Sequence, residues 1–212
     1  ANMFLENIDK VQDIDDKLKA QYIAEARFLR AFYYFNLVQN WGDVPFVVES
    51  TDKVTGLDCP RTDCQIIYDF IISEMSEVSD EQTGGLLTAA ELNFKPGHVS
   101  KSAAWGMLAR VYLFRAGEWH REKRQATDDE LSTYFAKASE YGQKVINLNV
   151  HKLAPNYWDF FIDICGNEYN TTANESLWEA EFAGNYTTDI VTEGRWGNVV
   201  GLGAPDLSNE VM

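Results

Sequence analysis

The feature that most limits how this chain can fold is one long segment that is apolar on two adjacent helical faces. Between Tyr22 and Trp41 apolar residues recur at helical spacing, and Gly42 with Pro45 marks the end of the helix. The first face carries Ala26, Leu29, Tyr33 and Leu37, and the neighbouring face carries Phe28, Phe32 and Phe35. A helix so widely apolar packs against neighbours on several sides. We therefore expect the phenylalanine face, from Phe28 to Phe35, to be core.

Four other segments show helical periodicity, so the pattern predicts a mainly all-α fold. A capping box, Thr62 to Gln65, is expected to open the second of them. The segments are residues 3–18, a helix ending near Val78, residues 99–116 and residues 132–148. On the last helix the predicted inner face is Phe135, Ala138, Gly142, Val145 and Ile146.

An internal repeat relates the long helix to the one at residues 99–116. Small residues recur at matching turns, which lets helices approach closely, and large residues fill the gaps beside them. The matching pairs are Ala26 with Ala104, Leu29 with Met107, Ala31 with Ala109, Tyr34 with Tyr112 and Trp41 with Trp119. Because each helix pair cannot bury its inner face alone, the pairs must stack. The repeat predicts divergent tetratricopeptide-like helix pairs, packed as an α-α superhelix, with Trp41 and Trp119 both packed at helix ends.

The pattern changes after Val150. Aromatic residues occur in short clusters separated by polar and glycine-rich stretches, and the alternation at 176–182 predicts a short strand. We therefore expect helical repeats over residues 1–150. Residues 151–212 are expected to begin a loop-rich, ligand-binding portion of the same domain.

Composition argues against several functions. The formal net charge is -15, from 33 acidic and 18 basic residues, so nucleic acid is disfavoured as a partner on electrostatic grounds, and neutral sugars or peptides fit better. The three histidines and three cysteines lack metal-ligand spacing, and no nucleophile motif is present, so we expect no metal, no cofactor and no catalysis. Cys59 and Cys64 flank a short loop, where either a disulfide or two separate thiols is compatible with the spacing.

Several segments in order resemble the SusD/RagB family. The run YIAEARFLRAFYYFNLVQNWGDVPFV, residues 22–47, is similar to the family's signature helix and its Gly-Asp-Val-Pro exit. HVSKSAAWGMLARVYLFRAGEW, residues 98–119, resembles a later family helix, and SEYGQKVIN resembles its partner. The predicted strand at Glu175–Phe182 occupies the place of the family's Glu-x-x-Phe-Glu segment. Family members are about twice this length or more, so the chain is expected to be truncated at both ends.

This resemblance implies a nutrient-binding lipoprotein on the cell surface of a Bacteroidetes-type outer membrane. Its lipid anchor would lie N-terminal to this chain, and it would deliver oligosaccharide to a SusC-like TonB-dependent transporter. Two alternatives remain open. One is a RagB-like peptide-binding uptake protein, and the other is a helical-repeat adaptor that binds another protein.

Candidate ligand-binding residues lie outside the repeats, on the loop-rich portion. Trp196 with Arg195 is the first candidate, because an aromatic between glycines on a polar loop is poorly placed to be core. Tyr186 lies in the same loop, and Tyr157 and Trp158 belong to an aromatic cluster for which packing is the commoner role. A sugar stacked on one ring buries roughly 80 Å² of apolar surface, worth about 2 kcal/mol. Micromolar capture needs about 8 kcal/mol, so two or three rings and several hydrogen bonds are required.

Overall fold

The computed structural model describes residues 1–54, 58–117, 126–165, 169 and 172–180. The chain divides into two units, Ala1–Trp178 and Glu179–Met212, and every element named below belongs to the first. These elements are α1 (Asn2–Asn7), α2 (Asp16–Trp41), β1 (Val44–Pro45), β2 (Arg61–Thr62), α3 (Cys64–Val78), α4 (Lys101–Arg115), α5 (Asp128–Asn147) and α6 (Tyr157–Cys165). The mainly helical fold is confirmed. The boundary near residue 150 between helical repeats and a ligand-binding portion stays a prediction.

Side-chain caps set where most of the helices start. Asp15 accepts a hydrogen bond from the Leu18 amide at the start of α2, and Ser100 accepts one from Ala103 at the start of α4. At the start of α5 a full capping box joins Thr127 and Glu130, and for this reason the helix begins four residues before the predicted boundary. The hydrogen bonds from the Thr127 amide and hydroxyl lower the pKa of Glu130.

One predicted helix start is wrong, and one helix predicted as continuous is interrupted. The capping box assigned to Thr62 is absent, because Asp63 caps α3 instead by accepting from the Gln65 amide at 2.8 Å. The single helix predicted at 3–18 is broken into α1, a 3₁₀ turn at Ile8–Lys10 and an extended link. The break is needed because Asp15, as the cap of α2, has extended backbone (φ -59°, ψ 135°), which a continuing helix cannot contain.

Helices α2 and α3 form one antiparallel pair, and α4 and α5 form another. In the first pair, Phe35 near the end of α2 contacts Tyr68 near the start of α3, at 6.4 Å between ring centroids. In the second pair, Tyr112 near the end of α4 stacks on Tyr141 of α5 at 5.9 Å. Helix α3 also packs antiparallel to α4, since the Trp105 indole donates to the Ser79 carbonyl. These contacts confirm helices packed side by side in pairs.

The core lies where α2, α3 and α4 meet. Its buried residues recur every three or four positions on each helix, and alanines at 24, 31 and 104 allow close approach. The main members are Phe28, Phe35 and Val38 of α2, Ile67, Tyr68, Ile71 and Met75 of α3, and Leu108 and Val111 of α4. Burial raises the pKa of the Tyr68 phenol well above its ordinary value. The prediction that Phe28 and Phe35 are core is confirmed.

The other predicted apolar face of α2 is exposed only in its second half, because Leu29 is partly buried against the core. Tyr33 is 59% exposed, Leu37 is exposed as well, and Trp41 at the helix end is 67% exposed, so the predicted packing of Trp41 is wrong. Trp119 lies outside the described residues. On α5, Phe135 and Ile146 are likewise exposed rather than inward-facing.

A charged network joins α2 to α3 beside the core. Glu74 has a side chain only 9% exposed and accepts from both Arg27 and Arg30 at 2.6 Å. Arg27 also reaches Glu77 at 2.6 Å. Burial opposes the charge on Arg27, but its hydrogen bonds to Glu74 and Glu77 outweigh burial and raise its pKa. A low-exposure carboxylate held between two guanidinium groups fixes the register of this helix pair.

The segment after α5 differs from its prediction. Residues 157–165, expected to be irregular, form α6. The predicted strand is not present at 176–180, which are non-helical and unpaired with any strand, and residues 181 and 182 lie outside the described residues. The described strands are instead β1 and β2, which pair antiparallel with Val44 opposite Thr62.

Candidate ligand-binding surface

Helix α6 presents an aromatic surface to solvent. Tyr157 is 70% exposed and Trp158 is 71% exposed, and Phe161, Ile162 and the preceding Leu153 are exposed as well. A nine-residue helix is too short to be stable alone, so it depends on the anchoring of its flanks. Large apolar side chains exposed together in this way are typical of a binding site. Tyr157 and Trp158 therefore do not belong to the core of the described residues, and their contact with a ligand stays a prediction.

The rings of α6 support one another rather than a core. Tyr157 contacts Phe161 one turn later, with centroids 4.8 Å apart, and contacts Trp158 edge-on at 6.1 Å. Asn156 accepts from the Trp158 amide through its side-chain oxygen at 3.1 Å and donates to Asp159 at 3.2 Å. Exposed ring edges and faces therefore lie beside an amide and a carboxylate, which is the combination that sugar hydroxyls and C–H faces require.

The connection before α6 is anchored on α4. His151 bonds the buried Ser102 hydroxyl through Nε2 at 2.8 Å and the Asn174 carbonyl through Nδ1 at 2.7 Å. Further along, the Ala154 amide donates to Glu175 Oε2 at 2.7 Å. These bonds join residues 151–154 to residues 173–175. They hold the start of α6 at the N-terminal end of α4.

The returning segment ends on the helical frame. Trp178 contacts Phe28 and Phe32 of α2 edge-on, with ring centroids 5.4 and 5.0 Å apart. Leu177 lies so close to Gly106 of α4 that a Cβ there would be 2.9 Å from its Cδ1. The absence of a side chain at Gly106 therefore allows this segment to dock. The sequence pattern did not predict this anchor. The adjacent apolar residues Leu177 and Trp178 were the signal that could have indicated it.

The other predicted ligand-binding residues, Arg195, Trp196 and Tyr186, lie outside the described residues. Their contact with a ligand stays a prediction. The structure therefore gives the geometry of Tyr157 and Trp158 only. The exposed Trp41 was not predicted as a surface residue, because its repeat partner and its helix-end position both favoured packing.

One group of potential metal ligands occurs in the described ranges. The side chains of Asp43, Asp63 and Cys64 have ligand atoms within 4.8 Å of one another. The two carboxylates already cap α3, because Asp43 accepts from the Cys64 amide at 3.0 Å and Asp63 accepts from Gln65. Capping thus accounts for their proximity. Cys59 has a free thiol, so it forms no disulfide with Cys64.

Comparisons with known proteins agree with this architecture. Antiparallel helix pairs with an aromatic segment anchored on them define a helical-repeat protein. The SusD-like family profile, described as starch-binding and associating with the outer membrane, matches residues 1–113, which is more than half of the chain. The chain therefore belongs to the SusD-like family, and the resemblance noted from its motifs is confirmed.

Individual relatives are similar over most of this chain but over a minor part of their own. SusD-like protein P25 of Formosa agariphila is 26% identical over 86% of this chain and 30% of its own length. The starch-binding protein SusD of Bacteroides thetaiotaomicron is 28% identical over 83% and 27%. A solved structure with a xylogluco-oligosaccharide is 27% identical over 86% and 33%, with a TM-score of 0.65. The chain thus spans about a third or less of these relatives.

In the described part of the chain, no helix has both the length and the apolar character that are needed to cross a bilayer.

Proposed function

We propose that this chain forms the helical frame and part of the binding surface of a protein that captures oligosaccharide at the bacterial outer membrane. The ligand is bound and released without chemical change. The observation that carries the proposal is the exposed ring pair of α6, Tyr157 and Trp158, on a segment anchored to a family-typical frame. The similarity to a starch-binding protein and to a structure obtained with a xylogluco-oligosaccharide supports sugar as the ligand.

The energetics require more than this ring pair. Stacking on each ring contributes about 2 kcal/mol, so Tyr157 and Trp158 together supply roughly half of the free energy for micromolar binding. We also propose Trp196, Arg195 and Tyr186, which lie outside the described residues, as ligand contacts. A Trp196→Ala variant is therefore expected to bind about tenfold more weakly or worse and to keep its fold.

Family membership supports a proposal for the cellular role. We place the protein at the cell surface, held by a lipid anchor, where it passes its ligand to a SusC-like TonB-dependent transporter. A rigid frame suits this role, because ordering costs are lower when the rings are already positioned. Association with such a transporter is tested by co-purification from the outer membrane of the source bacterium. Recovery of the protein without any transporter would contradict this assignment.

Affinity gel electrophoresis tests sugar capture directly. Amylopectin or xyloglucan in the gel is expected to retard the protein, and a mixture of peptides is expected not to compete. Trp158→Ala and Tyr157→Ala are each expected to lose most of the retardation. Trp41→Ala is the matched control, because Trp41 is similarly exposed but lies on α2, and it is expected to leave retardation unchanged. Peptide competition without polysaccharide retardation would favour a peptide-binding uptake protein instead.

A protein-binding adaptor is the second candidate, and a specific observation favours it. Tyr33, Leu37 and Trp41 lie at four-residue intervals on α2 and are exposed as one stripe. Such a stripe is suited to packing against another polypeptide. The adaptor function predicts no retardation by any polysaccharide and no lipid-anchor cysteine or neighbouring transporter gene. Either a retarded gel band or an anchored, transporter-linked gene would exclude it.

A further inference from the structure

A cleft of about 390 Å³ opens between the α3–α4 connection, the start of α4 and the end of α5. Its volume is within the range of small-ligand sites in proteins. Lys101 and Trp105 of α4, Lys144 and Asn147 of α5, and Glu81 of the connection contribute to its lining. The cleft lies in the helical frame rather than on α6.

The charges of this cleft differ from those of the chain as a whole. The Lys101 ammonium donates to the carbonyls of Asp80 and Glu81 at 2.7 and 3.1 Å, and it has no ion pair with a carboxylate in the described residues. Lys144 approaches Glu81 at 3.4 Å, and Glu81 is itself largely exposed. Among the residues that line the cleft, two ammonium groups therefore accompany one carboxylate, and Asp80 next to the lining is a second carboxylate that interacts with Lys101.

The floor of the cleft is preformed. The Trp105 indole is fixed by its hydrogen bond to the Ser79 carbonyl at 3.2 Å, and the Lys144 ammonium lies 5.4 Å from the Trp105 ring centroid. A cation held over an indole has its position restricted before any ligand arrives. An ammonium placed in this way offers its remaining donors to an anion in the cleft.

We propose that this cleft binds a carboxylate-bearing sugar, a uronic acid residue, between Lys101 and Lys144. The inference rests on the proposed function, since it specifies the class of oligosaccharide that the protein captures. The sugar carboxylate accepts from the two ammonium groups, and its hydroxyls reach Asn147 and Thr88 on the rim. The ligand class is thus acidic, in contrast to the neutral sugars expected from net charge alone.

The net charge of -15 does not prevent such binding. At physiological ionic strength charges are screened over about 8 Å, so the nearest groups dominate the potential inside a cleft. Of the other carboxylates nearby, Glu91 pairs with Lys17 at 2.8 Å. Asp80 accepts from the amides of Thr83 and Gln82, which lower its pKa and keep it ionised, so a sugar carboxylate has to compete with Asp80 for Lys101.

The cleft and the α6 surface lie within reach of one oligosaccharide. Leu148 lines the cleft, and α6 starts at Tyr157 nine residues later, which limits their separation to roughly 30 Å even for an extended chain. The separation is shorter here, because His151 between them is bonded to Ser102, the residue after Lys101. This separation is within the length of an oligosaccharide of several units.

Calorimetric titration with matched acidic and neutral sugars tests the proposal. The probes are trigalacturonate with its trimethyl ester, and a glucuronate-substituted xylo-oligosaccharide with its unsubstituted backbone. At least one acidic probe is expected to bind about fivefold or more tightly than its neutral partner at low salt. This ratio is expected to fall towards one in 0.5 M NaCl and in the Lys144→Gln and Lys101→Gln variants.

Lys137→Gln is the control variant, because Lys137 lies on the same helix and pairs with Glu140 away from the cleft. It is expected to keep the preference, with thermal melting verifying that all three variants fold. Equal affinity for the acidic and neutral members of both pairs, or no binding of any of the four probes, would overturn the proposal. So would a preference retained in both cleft variants.

The proposed function is judged separately. Trp158→Ala is expected to lower the affinity for acidic and neutral probes alike and to leave their ratio unchanged. If neutral polysaccharides still retard the protein while the acidic preference is missing, only the cleft assignment fails. If polysaccharides fail to retard it as well, the proposed function fails too.

Discussion

The helical frame and α6 both contain aromatic residues, but the two regions differ in how far these residues are exposed to solvent. Phe28 and Phe35 of α2 are buried, with at most 1% of either exposed, whereas Tyr157 and Trp158 of α6 are about 70% exposed. The frame surrounds its rings with two neighbouring helices. The ring contacts described for α6 are among its own residues.

This contrast shows that the number of aromatic residues does not reveal their role. What separates the two groups is whether other elements are placed to cover them. In the frame, alanines at 24, 31 and 104 bring the helices together and the rings fill the remaining space. Around α6 the anchoring bonds are polar and lie at the start of the segment, so they position the rings without covering them.

Removing a buried ring of the frame is expected to destabilise the protein far more than removing an exposed ring of α6. Phe28→Ala removes a fully buried ring that contacts Phe32 and Trp178, and it is expected to lower the free energy of unfolding by about 3–5 kcal/mol. Trp158→Ala is expected to change it by less than about 0.5 kcal/mol, because its ring is exposed. Denaturant unfolding followed by circular dichroism measures both. Comparable losses of unfolding free energy in the two variants would mean that the two rings do not differ in burial.

The next prediction concerns the charged network inside the frame. Glu74→Gln leaves Arg27 and Arg30 without the carboxylate that both contact, so a loss of roughly 2–4 kcal/mol in unfolding free energy is expected. Glu140→Gln, which breaks an exposed pair with Lys137, is the control and is expected to cost under about 1 kcal/mol. Equal effects in the same unfolding assay would mean that the network does not stabilise the helix pair.

A smaller effect is expected in the pH dependence of stability. Hydrogen bonds from the Ser50 amide and hydroxyl, and then from Lys53, lower the pKa of Glu6 from 4.5 to about 2. Since the folded pKa is the lower one, this contribution is complete above pH 4.5 and is lost as the pH falls towards 2. Comparing unfolding midpoints of the protein and Glu6→Gln at each pH isolates it. The difference is expected to close with acidification, and a difference that stays constant from about pH 7 down to about pH 2 would contradict the assignment.

The sequence predicted the existence of the frame better than its boundaries. Helical periodicity located α2, α3, α4 and α5, because an apolar residue at every third or fourth position places one continuous apolar face on a helix and on no other regular structure. Capping decides the boundaries, and it depends on backbone geometry as well as residue type. Asp15 and Asp63 both cap helices, yet the pattern favoured a helix running through the first and a capping box at Thr62 instead of the second.

Exposure was the least predictable property. Tyr33, Trp41 and Phe135 have the spacing of inward-facing residues but are exposed. In α6 the apolar residues are so dense that no polar face marks an outer side, so the pattern did not predict a helix there. Tyr157 and Trp158 could be selected as candidates from clustering, whereas their exposure depends on the position of every neighbouring element. The cleft was missed because Lys101 and Lys144 are distant in sequence.

Hydroxyl-radical footprinting with mass spectrometry measures the solvent exposure of side chains in the frame and in α6 in one sample. It therefore tests whether the exposed rings of α6, and not the frame, contact the ligand. Without ligand, Trp158 and Tyr157 are expected to oxidise rapidly, and Phe28 is expected to be protected. A saturating oligosaccharide that retards the protein in affinity gels is expected to slow oxidation of Trp158 and Tyr157 several-fold and to leave that of Trp41 unchanged. Rapid oxidation of Phe28 would contradict its burial in the core. Ligand protection at Trp41 with none at Trp158 would contradict the proposal that α6 contacts the ligand.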